Sequence, residues 1–81
     1  MADRFAVVVP EGISLTSPQV KLVEWAVAVG DQIKRGDTLC EVETEKATLP
    51  VEATDPGVLV EIVAEAGVDL QIGDTIAWME A

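Results

Sequence analysis

The sequence has no histidine and no tyrosine, a single cysteine and only three aromatic side chains. Without histidine or a second cysteine, an internal disulfide is impossible and no metal-ligand spacing can be recognised. There is also no phosphate-cradling glycine-rich loop and no plausible pairing of a nucleophile with a base. We therefore expect a chain that performs no catalysis unaided.

Positive charge is scarce as well. Fifteen acidic residues are balanced by only five basic ones, which gives a formal net charge of −10 at pH 7. Nucleic acids and anionic membranes present phosphates, so proteins that bind them need the opposite sign of charge. The composition argues against both kinds of partner. It leaves two roles open for the acidity, namely solubility alone or attraction to basic patches on partner proteins.

Long apolar runs and a basic leader are missing too. No apolar stretch approaches 18 residues, so we expect neither a membrane span nor a secretory signal. The lone Cys40 stands in a strand-like run and is predicted to be a small buried hydrophobe. A reducing, cytoplasmic setting is the simplest expectation, with a removed organelle-targeting segment as the alternative. At 81 residues, the chain is expected to form one domain over residues 1–81.

The sequence does contain an internal repeat. A shift of 37 residues aligns Leu22-Val23-Glu24-Trp25 with Leu59-Val60-Glu61-Ile62, and Gly36-Asp37-Thr38 with Gly73-Asp74-Thr75. Each copy is a strand–turn–strand unit that cannot bury its apolar face alone. Two units packed face to face predict a small β-sandwich or flattened barrel with pseudo-twofold symmetry and no long helix. The predicted strands are Ala6–Val9, Val20–Val27, Gln32–Ile33, Thr38–Glu43, Thr48–Ala53, Val58–Val63, Asp69–Leu70 and Thr75–Glu80.

Lys46 stands in an unusual hairpin connection. The residues Thr44-Glu45-Lys46-Ala47 include neither the Gly nor the Asn that tight hairpins favour. A local rule broken without visible compensation tends to mark a functional site, although an ordinary solvated tip residue is the alternative. The second copy of the repeat stops at Ala81, so the tip and the chain termini should lie at opposite ends. This layout displays one side chain away from any linker, as a mobile carrier requires.

The segment 29–48 resembles the signature of lipoyl domains, the swinging-arm carriers of 2-oxo acid and acetoin dehydrogenase complexes. The family pattern has a Trp, two Gly-Asp steps and then Glu-x-Glu-Thr-Asp-Lys-Ala. Trp25, the Gly-Asp steps at 30–31 and 36–37, and the segment 41–47 match it. Glu45 stands where the family usually has Asp. The matching positions downstream are Gly57, Gly67, Gly73 and Ile76-Ala77.

The resemblance implies an all-β barrel-sandwich hybrid of two four-stranded antiparallel sheets, with Lys46 at a hairpin tip. It also implies a non-catalytic carrier domain, in which Lys46 bears lipoate through an amide. The residues that the resemblance assigns to recognition by a lipoate ligase or lipoyl transferase, and by the partner enzymes, are Glu43, Thr44, Glu45 and Ala47.

The partners that the resemblance implies are three enzymes. In the family, a thiamine-diphosphate dehydrogenase component reductively acylates the arm. An acyltransferase core then passes the acyl group to coenzyme A, and dihydrolipoamide dehydrogenase reoxidises the arm. The chain is then either a free-standing protein or part of a dihydrolipoyllysine acyltransferase.

Two alternatives and one departure accompany this prediction. The first alternative is a biotin carrier, although biotinyl domains usually flank their lysine with methionines, whereas Glu45 and Ala47 flank Lys46. The second is a structural hairpin domain whose lysine stays unmodified. The departure is the segment 10–19, which lacks the Leu-Gly-Glu of the family. In the family this loop lies near the lipoyl-lysine and helps to select the dehydrogenase, so the particular 2-oxo acid or acetoin complex stays open. We expect the Ile13–Gln19 part to lie on the surface that partner enzymes approach.

Overall fold

Alternating apolar and polar residues build eight strands in the structure, a computed structural model that describes residues 3–10, 19–45 and 47–81. In β2, for example, the buried Val20 and Leu22 alternate with the exposed Lys21 and Val23. The eight predicted strands are confirmed, with their ends shifted by no more than two residues. The described ranges contain no helix, and thus none that could cross a membrane. The strands are β1 Arg4–Val8, β2 Gln19–Trp25, β3 Gln32–Ile33, β4 Thr38–Glu43, β5 Thr48–Glu52, β6 Gly57–Ile62, β7 Asp69–Gln71 and β8 Thr75–Glu80.

The strands form two four-stranded sheets, with the orders β1-β8-β6-β3 and β5-β4-β2-β7. All the pairings are antiparallel. Exchanging each of β1 to β4 with the strand four places later, so that β5 becomes β1 and β7 becomes β3 as well, converts the second order into the first. The predicted two-sheet fold is therefore confirmed, and the strand orders have the pseudo-twofold symmetry that the repeat indicated.

Hydrogen bonds from the turns before β3 and β7 obey the same symmetry. The Gly30 N–H donates to the Leu59 carbonyl at 2.7 Å, and the Gly67 N–H donates to the Leu22 carbonyl at 2.7 Å. Both donors and both acceptors are 37 positions apart, as in the sequence repeat. The glycines at these turns have positive φ, a region that is open to glycine but costly for other residues. Their φ values are 98° at Gly30, 91° at Gly36, 94° at Gly67 and 92° at Gly73.

The two copies differ in the length of one connection, which is the one between β1 and β2. The Gly36 N–H donates to the Ala53 carbonyl, and the equivalent Gly73 N–H donates to the Val9 carbonyl. Ala53 and Val9 are 44 positions apart rather than 37. The connection after β1 has ten residues, 9–18, whereas its counterpart after β5 has four, 53–56. Of this connection, residues 11–18 lie outside the described part of the chain.

The core consists of two clusters of small aliphatic side chains, one toward each end of the sandwich. Leu22, Val42 and Ile76 are fully buried in the first, and Leu39, Leu59 and Met79 are almost fully buried in the second. Trp25 is only half-buried, but it packs against both clusters. Its indole N–H donates to the Ala64 carbonyl at 2.7 Å. The tryptophan thus links the two clusters and satisfies a buried backbone acceptor.

The single cysteine is a core residue, as predicted. Cys40 is 0% exposed, and its symmetry counterpart Ala77 is 0% exposed as well. Burial raises the pKa of the Cys40 thiol from its ordinary value of 9.0 to about 11, because the apolar surroundings disfavour the thiolate. The thiol is therefore a neutral packing group at physiological pH.

The packing of the Trp25 ring and its hydrogen bond should contribute separately to the stability of the domain. Trp25→Ala removes packing against both clusters and should lower the free energy of unfolding by about 3 kcal/mol, the lower end of the range for buried tryptophan, because the ring is half-buried. Trp25→Phe keeps most of the packing but loses the hydrogen bond to Ala64, so about 1–2 kcal/mol is expected. Urea titration followed by circular dichroism measures both. Val29→Ala, at a side chain 57% exposed, is the control, and a loss there equal to that of Trp25→Ala would contradict this account of the core.

Cys40 should also make stability depend on alkaline pH. Its pKa is raised in the folded state, so between about 9 and about 11 the unfolded chain releases a proton that the folded chain keeps. The neutral thiol makes its full contribution to the free energy of unfolding below pH 9, and this contribution is lost as the pH rises towards 11. Cys40→Ala, which installs the residue found at the symmetry counterpart, should remove this part of the pH dependence. Urea unfolding of both proteins at pH 8 and pH 10 measures the difference, and parallel losses in the two would refute the prediction.

Candidate functional site

The hairpin tip between β4 and β5 is closed by one side chain. Glu43 and Thr48 form the last cross-strand pair, and the Thr44 N–H donates to the Ala47 carbonyl at 2.8 Å. The Thr44 hydroxyl accepts from the Ala47 N–H at 3.2 Å and donates to the Ala47 carbonyl at 3.0 Å. In an ordinary two-residue hairpin, a backbone carbonyl would accept that N–H. Here a threonine hydroxyl replaces the backbone carbonyl as the acceptor of this N–H.

The tip contains no glycine or asparagine, and a threonine side chain bonds across it. Tight hairpin turns favour those residues because their central positions need positive φ. Among the described residues, positive φ occurs only at glycine, so neither Glu45 nor Ala47 adopts it. The threonine bonds hold the two strand ends together at Thr44 and Ala47. The broken turn rule has a local compensation, which the pattern of residue types did not reveal.

The predicted recognition residues lie together at this tip. Glu43, Glu45 and Ala47 are exposed, and Thr44 is half-buried by the bonds that close the turn. Lys46 itself lies outside the described residues, between two exposed neighbours in the sequence. The structure thus gathers the four flanking residues, and the role of each of them stays a prediction. The Ile13–Gln19 loop also lies outside the described residues, apart from Gln19 at the start of β2.

The opposite end of the sandwich holds the chain ends, as the repeat predicted. The Ala81 N–H donates to the Asp3 carbonyl at 2.9 Å. This bond is the symmetry counterpart of the bond from the Thr44 N–H to the Ala47 carbonyl. The two donors are 37 positions apart in the sequence, and the two acceptors are 44 positions apart. The tip between β4 and β5 and the paired chain ends therefore occupy equivalent places on the two sheets.

Charged residues continue from the tip onto the outer face of its sheet. Lys21 on β2 stands opposite Glu43 on β4 and opposite Asp69 on β7, and all three are exposed. Together with Gln19 and Glu45, they line a shallow depression beside the tip. Sequence reasoning missed Lys21 and Asp69, because their proximity to Glu43 follows from the strand order. Among the described residues, no group of His, Cys, Asp or Glu side chains is arranged to hold a metal ion.

Comparison with known sequences gives a match over almost the whole chain. The family model described as "Biotin-requiring enzyme" matches residues 6–79. The mitochondrial pyruvate dehydrogenase protein X component of Mus musculus is 40% identical over 79 residues, which cover 96% of this chain and 16% of that protein. The dihydrolipoyllysine-residue acetyltransferase component of the pyruvate dehydrogenase complex of Rhizobium meliloti is 44% identical over 57 residues, with coverages of 70% and 13%. The chain thus spans less than a fifth of the length of these relatives.

Solved structures share the same fold. The lipoyl domain of the 2-oxoglutarate dehydrogenase complex from Azotobacter vinelandii has a TM-score of 0.67 at 20% identity, covering 96% of this chain and 94% of that one. The urea carboxylase of Kluyveromyces lactis has a TM-score of 0.77 at 25% identity, covering 95% of this chain and 6% of that one. Both matches support the barrel-sandwich hybrid that the sequence predicted.

The hydrogen bonds of the Thr44 hydroxyl, and not the volume of its side chain, should stabilise the tip. Thr44→Val keeps the shape but removes two hydrogen bonds at the tip, so the unfolding free energy should fall by about 1 kcal/mol. Amide hydrogen exchange at Ala47 should become faster, because its N–H loses its acceptor. Thr44→Ser retains the hydroxyl and should stay close to wild type in both measurements. If Thr44→Val left the exchange rate of Ala47 unchanged, the hydroxyl would not be what closes the turn.

Proposed function

Because the chain belongs to the Biotin_lipoyl family, as a lipoyl-type carrier domain and not as a catalytic part of an enzyme, we propose that Lys46 carries lipoate through an amide. The family itself and the non-catalytic, carrier nature of the domain are predictions from the sequence that the matches confirm. The identity of the attached group and the attachment residue are our proposal.

The observation that carries the proposal is the closed tip. Three hydrogen bonds between Thr44 and Ala47 fix the backbone on both sides of position 46. The flanking Glu45 and Ala47 are exposed, and Ala47 has only a methyl side chain. A modifying enzyme can therefore approach the described residues on both sides of position 46. These features fit an amide-linked group at Lys46.

The residues of the chain then have a tethering role. Lipoate supplies, when bound, a dithiolane that accepts and releases acyl groups and electrons. The domain holds that group by one covalent bond, which gives it a high effective concentration at every active site within reach. The amide removes one lysine charge, so the net charge becomes −11 rather than −10. Glu43, Thr44, Glu45 and Ala47 are proposed to identify the tip to the attaching enzyme.

The proposed partners follow from the relatives. The matched proteins are components of pyruvate dehydrogenase complexes. We therefore propose a lipoate ligase or lipoyl transferase as the attaching enzyme. The thiamine-diphosphate dehydrogenase component, the acyltransferase core and dihydrolipoamide dehydrogenase are the proposed enzymes served by the arm. The cytoplasmic location stays a prediction, since several relatives are named as mitochondrial.

Biotin is the second candidate for the attached group. The description of the family model and the match to a urea carboxylase favour it. The residues beside Lys46 favour lipoate, because the acidic Glu45 and the small Ala47 stand where biotinyl domains usually have methionines. The mass of the protein isolated from its native cell distinguishes a lipoyl group, a biotinyl group and an unmodified lysine.

The position of the lysine in the turn should decide whether it is modified. Incubation with lipoate, ATP and a lipoate ligase should add one lipoyl mass to the wild type and none to Lys46→Ala. Exchanging two neighbours, Glu45→Lys with Lys46→Glu, keeps composition and charge but moves the lysine by one residue, and it should also abolish the addition. Lys34→Ala is the control that should still be modified. Intact-mass spectrometry reads all four, and a lipoyl mass on Lys46→Ala would contradict the assignment.

A further inference from the structure

We propose that β1 binds an extended segment of a partner protein as an added antiparallel strand, and that apolar side chains of this segment enter a cavity between the two sheets. The segment alternates apolar and polar residues and carries lysine or arginine at its ends. β1 belongs to the sheet that does not carry the tip. The site therefore adds an interaction surface to the proposed carrier function and does not depend on position 46.

The first observation is the open edge of β1. This strand is the outermost one in the β1-β8-β6-β3 sheet. At its two ends, the Asp3 carbonyl and the Val9 N–H both bond to residues that flank β8. Successive residues of an antiparallel strand alternately bond to the neighbouring strand and face away from it. The backbone groups that face away from β8, where the described part of the chain has no further strand, are therefore those of Arg4, Ala6 and Val8.

The equivalent edge of the other sheet is blocked by a proline. Pro50 on β5 is the counterpart of Ala6, at the same offset of 44 positions that relates Ala53 to Val9. Proline has no N–H to donate, and a proline on an edge strand discourages pairing with another chain. β1 contains no proline, and the edge strands β3 and β7 have only two and three residues. Of the described edge strands, β1 thus offers the longest row of unblocked backbone groups.

The second observation is an apolar cavity beside this edge. Of the fully described strands β1 and β5, no two Cα atoms lie within 8 Å of each other. The cavity between them has a volume of about 130 Å³. Because a cavity of about 150 Å³ can hold benzene, this one has room for a branched aliphatic side chain. Every second side chain of a strand added to β1 would point inward, as those of β1 itself do. The apolar side chains that line the cavity include Phe5, Val7, Leu39, Val51 and Met79.

Charge favours a basic segment over a second copy of this domain. Glu52 and Asp55 also line the cavity, and both are exposed, so they lie at its mouth. The basic residue of β1, Arg4, is paired with Glu80 at 3.4 Å. With a formal net charge of −10, the domain repels another copy of itself and attracts lysine and arginine. The edge and the cavity therefore fit a segment with an alternating apolar pattern and basic ends.

The probe is a synthetic peptide of about nine residues in which threonine and valine alternate between a lysine at each end. Directly opposite residues of an antiparallel pair share a face of the sheet. When the valines face the cavity, the threonine N–H groups therefore point towards β1 and the valine N–H groups point away from it. Methylating the threonine nitrogens should abolish binding. Methylating the valine nitrogens should preserve it and also prevent the peptide from pairing with itself.

Titration of the isotope-labelled domain with each peptide, up to about 1 mM, measures the Kd from chemical shifts. In the domain alone, the amide hydrogens of Ala6 and Val8 should exchange quickly, because they face no strand. The valine-methylated peptide should slow their exchange about tenfold. Absence of binding to the wild type would overturn the proposal. Equal binding of the two methylated peptides, or tighter binding of the threonine-methylated one, would overturn it as well.

Two variants install the residue found at the symmetry counterpart, so both should fold. Ala6→Pro removes the central N–H of the edge and should weaken binding about tenfold. Pro50→Ala is its control and should leave the Kd unchanged. Ala53→Val, which adds volume at a residue lining the cavity, should weaken binding about threefold. Urea unfolding of each variant verifies the fold, and wild-type affinity in both Ala6→Pro and Ala53→Val would contradict the site.

A pair of charge variants tests the basic ends of the segment. Glu52→Gln should weaken binding about twofold at about 0.01 M salt and have no effect at about 1 M salt. Glu61→Gln on β6 removes the same charge from an exposed position away from the cavity and should leave the Kd unchanged. Equal effects of the two variants would show that net charge, and not this site, attracts the peptide.

Two further measurements separate the alternatives. Sedimentation equilibrium of the domain alone should show a monomer, whereas a dimer that Ala6→Pro disrupts would assign the edge to a second copy and overturn the proposal. Lipoylation of Ala6→Pro by the ligase should equal that of the wild type. A wild type that binds the peptide but accepts no lipoyl group would overturn the proposed function alone. A lipoylated wild type that binds no peptide would overturn only the β1 site.

Discussion

The interleaving of the two copies is the constraint on which the rest of the structure depends. Each sheet takes two strands from the first copy and two from the second, so neither copy has a complete sheet of its own. The Gly30–Leu59 and Gly67–Leu22 hydrogen bonds join one copy to the other at equivalent places. Because these contacts join residues distant in sequence, an isolated half could form few of them. The domain therefore gains its stability as one unit, and small aliphatic side chains suffice to fill its core.

A symmetric scaffold makes the asymmetric residues informative. Cys40 and Ala77 fill equivalent core positions, and that difference changes packing by little more than a sulfur atom. Lys21 and Val58 occupy equivalent surface positions, and there the difference changes charge. The longer connection between β1 and β2 is also confined to the first copy, and the threonine-closed tip joins the first copy to the second. The departures at Lys21 and at Glu45 involve exposed residues, whereas the buried positions conform closely to the repeat.

The strands, the two-sheet architecture and the opposite placement of tip and termini could be predicted because period-two alternation and the 37-residue shift are visible along the chain. The role of Thr44 could not, because a side-chain bond to the backbone across a turn leaves no periodic trace. The proximity of Asp69 to Glu43 depends on β2 lying between β7 and β4, which only the strand order reveals. The half-buried position of Trp25 between the two clusters, with its N–H bonded to the Ala64 carbonyl, likewise follows from the packing and not from the pattern along the chain.

The place of the tip in the chain has a consequence for stoichiometry. The first copy ends with β4 and the second begins with β5, so the connection 44–47 is the joint between the two copies. At the equivalent place on the other sheet, the chain has its two ends, with Ala81 bonded to Asp3. The joint between the two copies has no counterpart within residues 1–81, whereas a position inside one copy has a counterpart in the other. If Lys46 in this joint bears the arm, as proposed, residues 1–81 hold one attachment point, and the symmetry of the scaffold does not generate a second.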